Sequence, residues 1–129
     1  MANRAPRGVR FLSATVQNNG PDRCMVQVEI RAPNQTCRGS AEGGCDEAAQ
    51  LHSAALATNT ALATLGHAVE LDDVAAVNIL GDWCVAARVV AQHEGERRKL
   101  MGFCVAGNDV LKATVLAVLN ATNRFLEIG

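Results

Sequence analysis

Aromatic side chains are nearly missing from this sequence: there is no tyrosine, one tryptophan and three phenylalanines, 3% of 129 residues. That scarcity removes the stacking platforms on which single-stranded nucleic acids are read. It also means that a core built from 49% hydrophobic residues, mostly alanine and valine, must rely on close backbone approach rather than on large rings. Length and hydrophobic content fit one globular domain, with residues 1–8 expected as a flexible N-terminus.

A surplus of positive charge is also lacking. The formal net charge of -1 argues against a general polyanion binder, so nucleic acid is not expected as a partner. Two local basic groups remain, Arg4, Arg7 and Arg10 near the start and Arg97, Arg98 and Lys99 after a turn, and both read as a solvated face or a strand edge. No apolar run is long and uncharged enough to span a bilayer, so no membrane partner is expected.

The five cysteines, Cys24, Cys37, Cys45, Cys84 and Cys104, include no Cys-x-x-Cys pair. Their odd number and the lack of a secretory segment at the start lead us to expect reduced thiols and a cytoplasmic protein. His52, His67 and His93 stand at no recognised ligand spacing from one another or from a cysteine, so neither a metal nor another cofactor is expected. His67 lies just past a helix, where it caps carbonyls or faces solvent, and His93 lies in a turn beside Glu94. Trp83 opens a strand and is expected to pack in a core or an interface.

What is present is an internal repeat. "GSAEGGCDEAAQLHSAALATNTAL" from Gly39 aligns without a gap on "GFCVAGNDVLKATVLAVLNATNRF" from Gly102. Gly39 meets Gly102, Gly44 meets Gly107, Asp46 meets Asp109, Ala54 meets Ala117 and Leu56 meets Leu119.

Each half reads as three strands and a helix. "VRFLSATVQ", "RCMVQVEIRA" and "QTCRGSAE" are separated by the turns "NNGPD" and Pro33-Asn34. In the second of these strands Val26, Val28 and Ile30 alternate with polar residues and fall on one face. In the other half "DDVAAVNIL", "WCVAARVVAQ" and "RRKLMGFCVA" are separated by "GD" and "HEGE". The helices are expected at about 46–65 and 109–126, entered through Gly-rich turns and capped by Asp46 and by Asp109 or Asn108. Leu111, Thr114, Val115, Val118, Ala121, Thr122 and Phe125 would form the buried stripe of the second. The result is an α+β fold of two βββα units, about 9–66 and 68–127, related by a pseudo-twofold that lets them cover each other's apolar faces.

This pattern resembles the C-terminal regulatory domain of 2-isopropylmalate synthase and its citramalate synthase relatives. A common ending in that family is Asp-Ile-x-x-Ala-Ser-x-x-Ala-x-x-x-Ala-Leu-Asn-Arg-Leu. Here Asp109-Val110-Leu111-Lys112-Ala113-Thr114 is followed by Ala117 and then by Ala121-Thr122-Asn123-Arg124-Phe125. Before the first helix the family often has Gly-x-Gly-Pro-x-Asp-Ala. This chain has Glu42-Gly43-Gly44-Cys45-Asp46-Glu47-Ala48, which keeps the second glycine and the alanine, places glutamate at the aspartate and lacks the first glycine and the proline. The resemblance implies a stand-alone regulatory domain that pairs with a second copy and binds an end-product amino acid near the turns before the helices. The family's catalytic barrel, with its metal and acetyl-coenzyme A sites, has no counterpart in these residues.

The expected function is therefore a non-catalytic regulatory or sensory domain, a homodimer that binds a small metabolite such as an amino acid. Its candidate site residues are Gly43, Gly44 and Asp46 with Gly107, Asn108 and Asp109, where helix N-terminal amides attract a carboxylate and the aspartates meet an ammonium group. Helix capping alone is the competing role for these residues. A ligand-free scaffold that dimerises and recruits a protein partner is the alternative function. An enzyme would need Cys45, the thiol nearest a helix N-terminus, as nucleophile, with His52 reaching back to it as base. Asn123 and Arg124 are expected to tie the last helix to the sheet.

Overall fold

The computed structural model describes residues 9–126, so the segment 1–8, with Arg4 and Arg7, lies outside the described residues. The chain runs β1 (Arg10–Gly20), β2 (Arg23–Ala32), β3 (Gln35–Gly43), α1 (Glu47–Thr64), β4 (Ala68–Ile79), β5 (Asp82–His93), β6 (Glu96–Val105) and α2 (Val110–Leu126). The strands form two three-stranded antiparallel sheets, ordered β1-β2-β3 and β4-β5-β6, and the architecture is the α+β pair of βββα units read from the sequence.

Period-two alternation explains β2: Cys24, Val26, Val28 and Ile30 are buried against the helices, and Met25, Gln27, Glu29 and Arg31 face outward. The β4-β5 turn lies one residue earlier than the Gly81-Asp82 expected. Leu80 and Gly81 make the turn with φ of 55° and 89°, the left-handed pair that matches hairpin twist, and Asp82 already belongs to β5.

β4 begins at Ala68 rather than at Asp72. Its register skips Asp72, which bulges out between Leu71 and Asp73 and places its carboxylate 2.7 Å from the Arg88 guanidinium. The acidic pair thus sits inside a strand, at a bulge that re-aims a side chain, and does not start one. β1 has its own bulge at Leu12, between Phe11 and Ser13.

Each helix lies on its own sheet, touches the other helix and reaches the first strand of the other unit, α1 against β4 and α2 against β1. Burial consequently exceeds a single stripe. On α2 Ala113, Ala117 and Leu119 are buried along with Thr114, Val115, Val118, Ala121 and Thr122, whereas Leu111 and Phe125 are only partly covered. The buried threonine hydroxyls donate back one turn, Thr58 to the Ala54 carbonyl at 2.8 Å and Thr122 to that of Val118 at 3.1 Å.

The two helices are not in the gapless register of the sequence alignment. A Cβ on Gly102 would strike the carbonyl oxygen of Ala117, and one on Gly39 would strike that of Ala57, not of Ala54. Burial gives the same answer: buried Ala57, Thr58, Ala61 and Leu62 correspond to buried Ala117, Val118, Ala121 and Thr122, and exposed His52 and Thr60 to exposed Lys112 and Asn120. Relative to the glycine crossing, α1 therefore starts about one helical turn earlier than α2, roughly 4.5 Å along the axis. Alanine recurs so often in α1 that the sequence accepts either register, and the close approach at the glycines decides.

Candidate functional site

Asp46 is the N-cap of α1, and its Oδ1 accepts the Ala49 amide hydrogen at 2.8 Å. Asp109 does the same for α2, accepting from the Lys112 amide at 3.0 Å. Both aspartates thus fill the capping role, each with one carboxylate oxygen engaged. Gly43 and Gly44 serve packing, because a Cβ on them would lie 2.8 Å from Ser53 Oγ and 3.2 Å from Ala49 Cβ. Gly107 takes φ 56° in the turn before α2, which most side chains resist.

The two pre-helix turns meet in a cleft of about 330 Å³ lined by Cys45, Glu47, Gln50 and Leu51 on one side and Asn108, Asp109, Val110 and Leu111 on the other. Of the six residues expected to bind a ligand, Asn108 and Asp109 lie in this cleft. Gly107 borders a neighbouring pocket of about 250 Å³ with Glu47, Trp83, Val85 and Val110, and Gly43, Gly44 and Asp46 line neither. Glu47 joins the two pockets; its signal in the sequence was the glutamate standing where the resembling family has aspartate. Helix geometry leaves the first-turn amides of Val110 and Leu111 without an intrahelical carbonyl.

Trp83 is not in the core. Its side chain is 59% exposed at the rim of the smaller pocket, while its carbonyl accepts the Ala106 amide at 2.8 Å. The turn at Leu80-Gly81 places Trp83 at the start of β5, where it lines the smaller pocket with Val110 at the start of α2.

The expectation of five free thiols is corrected. Cys24 and Cys45 form a disulfide that ties the start of β2 to the turn before α1. Their separation of 21 residues matches no short motif, and only the hairpin β2-β3 brings them together. Cys45 is thereby removed as a nucleophile, and His52 is exposed on α1. Cys37, Cys84 and Cys104 are free, and burial raises the pKa of the Cys104 thiol. Among the described residues no group of three or more His, Cys, Asp and Glu side chains is placed to hold a metal ion. Among them, too, no helix is long and apolar enough to cross a membrane.

The basic run Arg97-Arg98-Lys99 lies on the edge strand β6. Arg97 pairs with Glu70 at 3.5 Å, and Arg98 pairs with Glu96 at 2.6 Å and stands over the Phe125 ring. His67 donates its backbone N–H to the Leu62 carbonyl at 3.1 Å and so helps to close the end of α1.

The second sheet carries an apolar outer surface whose signal lies in its strand sequences. The outer faces of β5 and β6 lack the polar alternation of β2, and Met101, Phe103 and Val105 are 52%, 50% and 61% exposed there.

Neither the protein-family models nor the curated proteins contain a match to this chain.

Proposed function

We propose that the chain is a non-catalytic regulatory module, a homodimer that takes a small zwitterion such as an amino acid in the cleft between its pre-helix turns. The observation that carries this reading is that two helix N-termini and two carboxylates, Glu47 and Asp109, border one cleft of about 330 Å³. The amides of the α2 first turn favour a carboxylate, and Glu47 with the second oxygen of Asp109 favours an ammonium group. The volume falls at the small end of ligand pockets.

The test is a melting screen of the chain with each proteinogenic amino acid. A true ligand at a hundred times its Kd adds about 2.7 kcal/mol of stability. Asp109→Asn separates the two roles, because asparagine caps a helix as well as aspartate does but carries no charge. It is expected to keep the melting temperature of the free chain and to lose the ligand response. A screen in which no amino acid shifts the transition would sink the reading.

A second reading, a ligand-free assembly module that recruits a protein partner, is favoured by the exposed apolar face of the second sheet, since contiguous exposed patches of this kind mark interaction surfaces. A flat melting screen together with a stable dimer would select it.

A further inference from the structure

The two sheets differ most on their outer faces. On the first, Arg10, Ser13, Thr15 and Gln17 of β1, Gln27, Glu29 and Arg31 of β2, and Thr36, Arg38 and Ser40 of β3 point outward, and Arg38 pairs with Glu29 at 3.0 Å. That face is built for water.

The second sheet presents the opposite chemistry. Gly102 packs on α2, so its neighbours Met101, Phe103 and Val105 point away from the helix. Register then defines the rows of the outer face: Val77, Cys84 and Val105; Ala75, Ala86 and Phe103; Asp73, Arg88 and Met101; Glu70, Val90 and Lys99. The first two rows are wholly apolar, and beyond them, toward the β4-β5 turn, Ile79, 41% exposed, stands opposite Asp82. Across the rows the charge is sorted by edge: Glu70, Asp72 and Asp73 lie on β4, and Arg97 and Lys99 lie on β6.

We propose that this face is covered by the same face of a second copy of the chain, stacked about a twofold axis that runs along β5. This rests on the reading of the chain as a self-associating module and names the surface that does it. A rotation about that axis sets β4 of one copy over β6 of the other. Glu70 then meets Lys99, and Ala75 meets Phe103, twice in each dimer, so these edge pairs are complementary in charge and size, while Arg88, held by Asp72 of its own chain at 2.7 Å, lies on the axis. A twofold running across the strands would instead lay acidic β4 on acidic β4 and basic β6 on basic β6. Stacked sheets keep their strands roughly aligned, as this arrangement requires. Phe103 sits inside the apolar rows and Met101 in the row beside them, both residue types enriched in interface cores, with the Glu70-Lys99 pairs at one end.

The test is the oligomeric state of the full chain by sedimentation equilibrium, with melting curves recorded on every variant. The wild type is expected to dimerise, and Phe103→Arg to raise the dimer Kd by more than about tenfold, the loss of at least 1.4 kcal/mol. Thr15→Arg, on the polar face of the first sheet, is expected to leave it unchanged. Lys99→Glu and Glu70→Lys each weaken the dimer about tenfold, counting two pairs per dimer, and together they restore it to within about threefold. The exposed charge variants test the face even if Phe103→Arg fails to fold. A wild-type chain that stays monomeric at about 100 µM overturns the proposal, as does a dimer indifferent to Phe103→Arg. Failure of the double charge reversal to restore pairing overturns the axis along β5. The amino-acid melting screen reads the cleft separately, so a failed dimer leaves ligand binding by the wild-type chain to be judged by itself.

Discussion

The side-chain amide of Asn123 on α2 and the backbone of Val9 at the entrance to β1 are joined by two hydrogen bonds. Val9 N–H donates to Asn123 Oδ1 at 2.8 Å, and Asn123 Nδ2 donates to the Val9 carbonyl at 3.0 Å. The pair ties the last helix to the first sheet across almost the whole sequence, in the role expected for this residue. Asn123→Ala leaves a half-buried N–H and C=O without those partners. It is expected to lower stability by about 2 kcal/mol, read from the urea midpoint at unchanged m. An unshifted midpoint would show that the lock contributes nothing.

Gly39 and Gly102 are where each sheet meets its helix backbone. Gly39→Ala and Gly102→Ala push a methyl group onto the carbonyls of Ala57 and Ala117, which neither strand nor helix can give up without moving. Each substitution is expected to cost about 2 kcal/mol or more. Calorimetry on both variants checks this, and Gly102→Ala melting like the wild type would contradict the close crossing.

Asn59 is 7% exposed, and neither its Nδ2 nor its Oδ1 has a hydrogen-bond partner among the described residues. By the register of burial its counterpart on α2 is Leu119. Asn59→Leu replaces an unsatisfied buried amide by an apolar side chain with the same number of heavy atoms and is expected to raise stability by about 1 to 2 kcal/mol, visible as a higher urea midpoint. A fall instead would show that the amide is satisfied in solution.

The Cys24-Cys45 disulfide closes a loop of ordinary length, and its loss is expected to cost about 3 kcal/mol. Melting with and without a reductant measures the effect, and Cys24→Ala with Cys45→Ala should reproduce it. Mass spectrometry of the unreduced protein after alkylation in denaturant, which opens the buried Cys37 and Cys84, should find three modified cysteines, the free ones being Cys37, Cys84 and Cys104. Labelling of all five would remove the bridge.

Residues whose local chemistry points one way were legible in the sequence. Val26, Val28 and Ile30 alternate with Gln27, Glu29 and Arg31 and fix the inner face of β2, and Asp46 and Asp109 mark helix starts through their capping oxygens. Features decided by packing were not legible. Asp72 reads as a boundary because bulges carry no composition of their own. Cys24 and Cys45 become neighbours only once β2 and β3 pair, and the helix register follows from which alanine lies against a glycine. In the cleft, Asp109 was found through its turn. Gln50 and Leu51 were missed because they reach it only through the one-turn advance of α1.

That advance has a consequence for stoichiometry. A duplicated chain invites the assumption of two equivalent ligand positions, one at each Gly-rich turn. With α1 beginning a turn ahead of α2, the cleft is lined by Cys45, Glu47, Gln50 and Leu51 on one side and by 108–111 on the other, and only Gln50 and Leu51 match Val110 and Leu111 in the register of burial, so its halves are not equivalent. A ligand held there would have a single orientation and saturate at one molecule per chain, so any cooperativity in its binding curve would have to arise between chains.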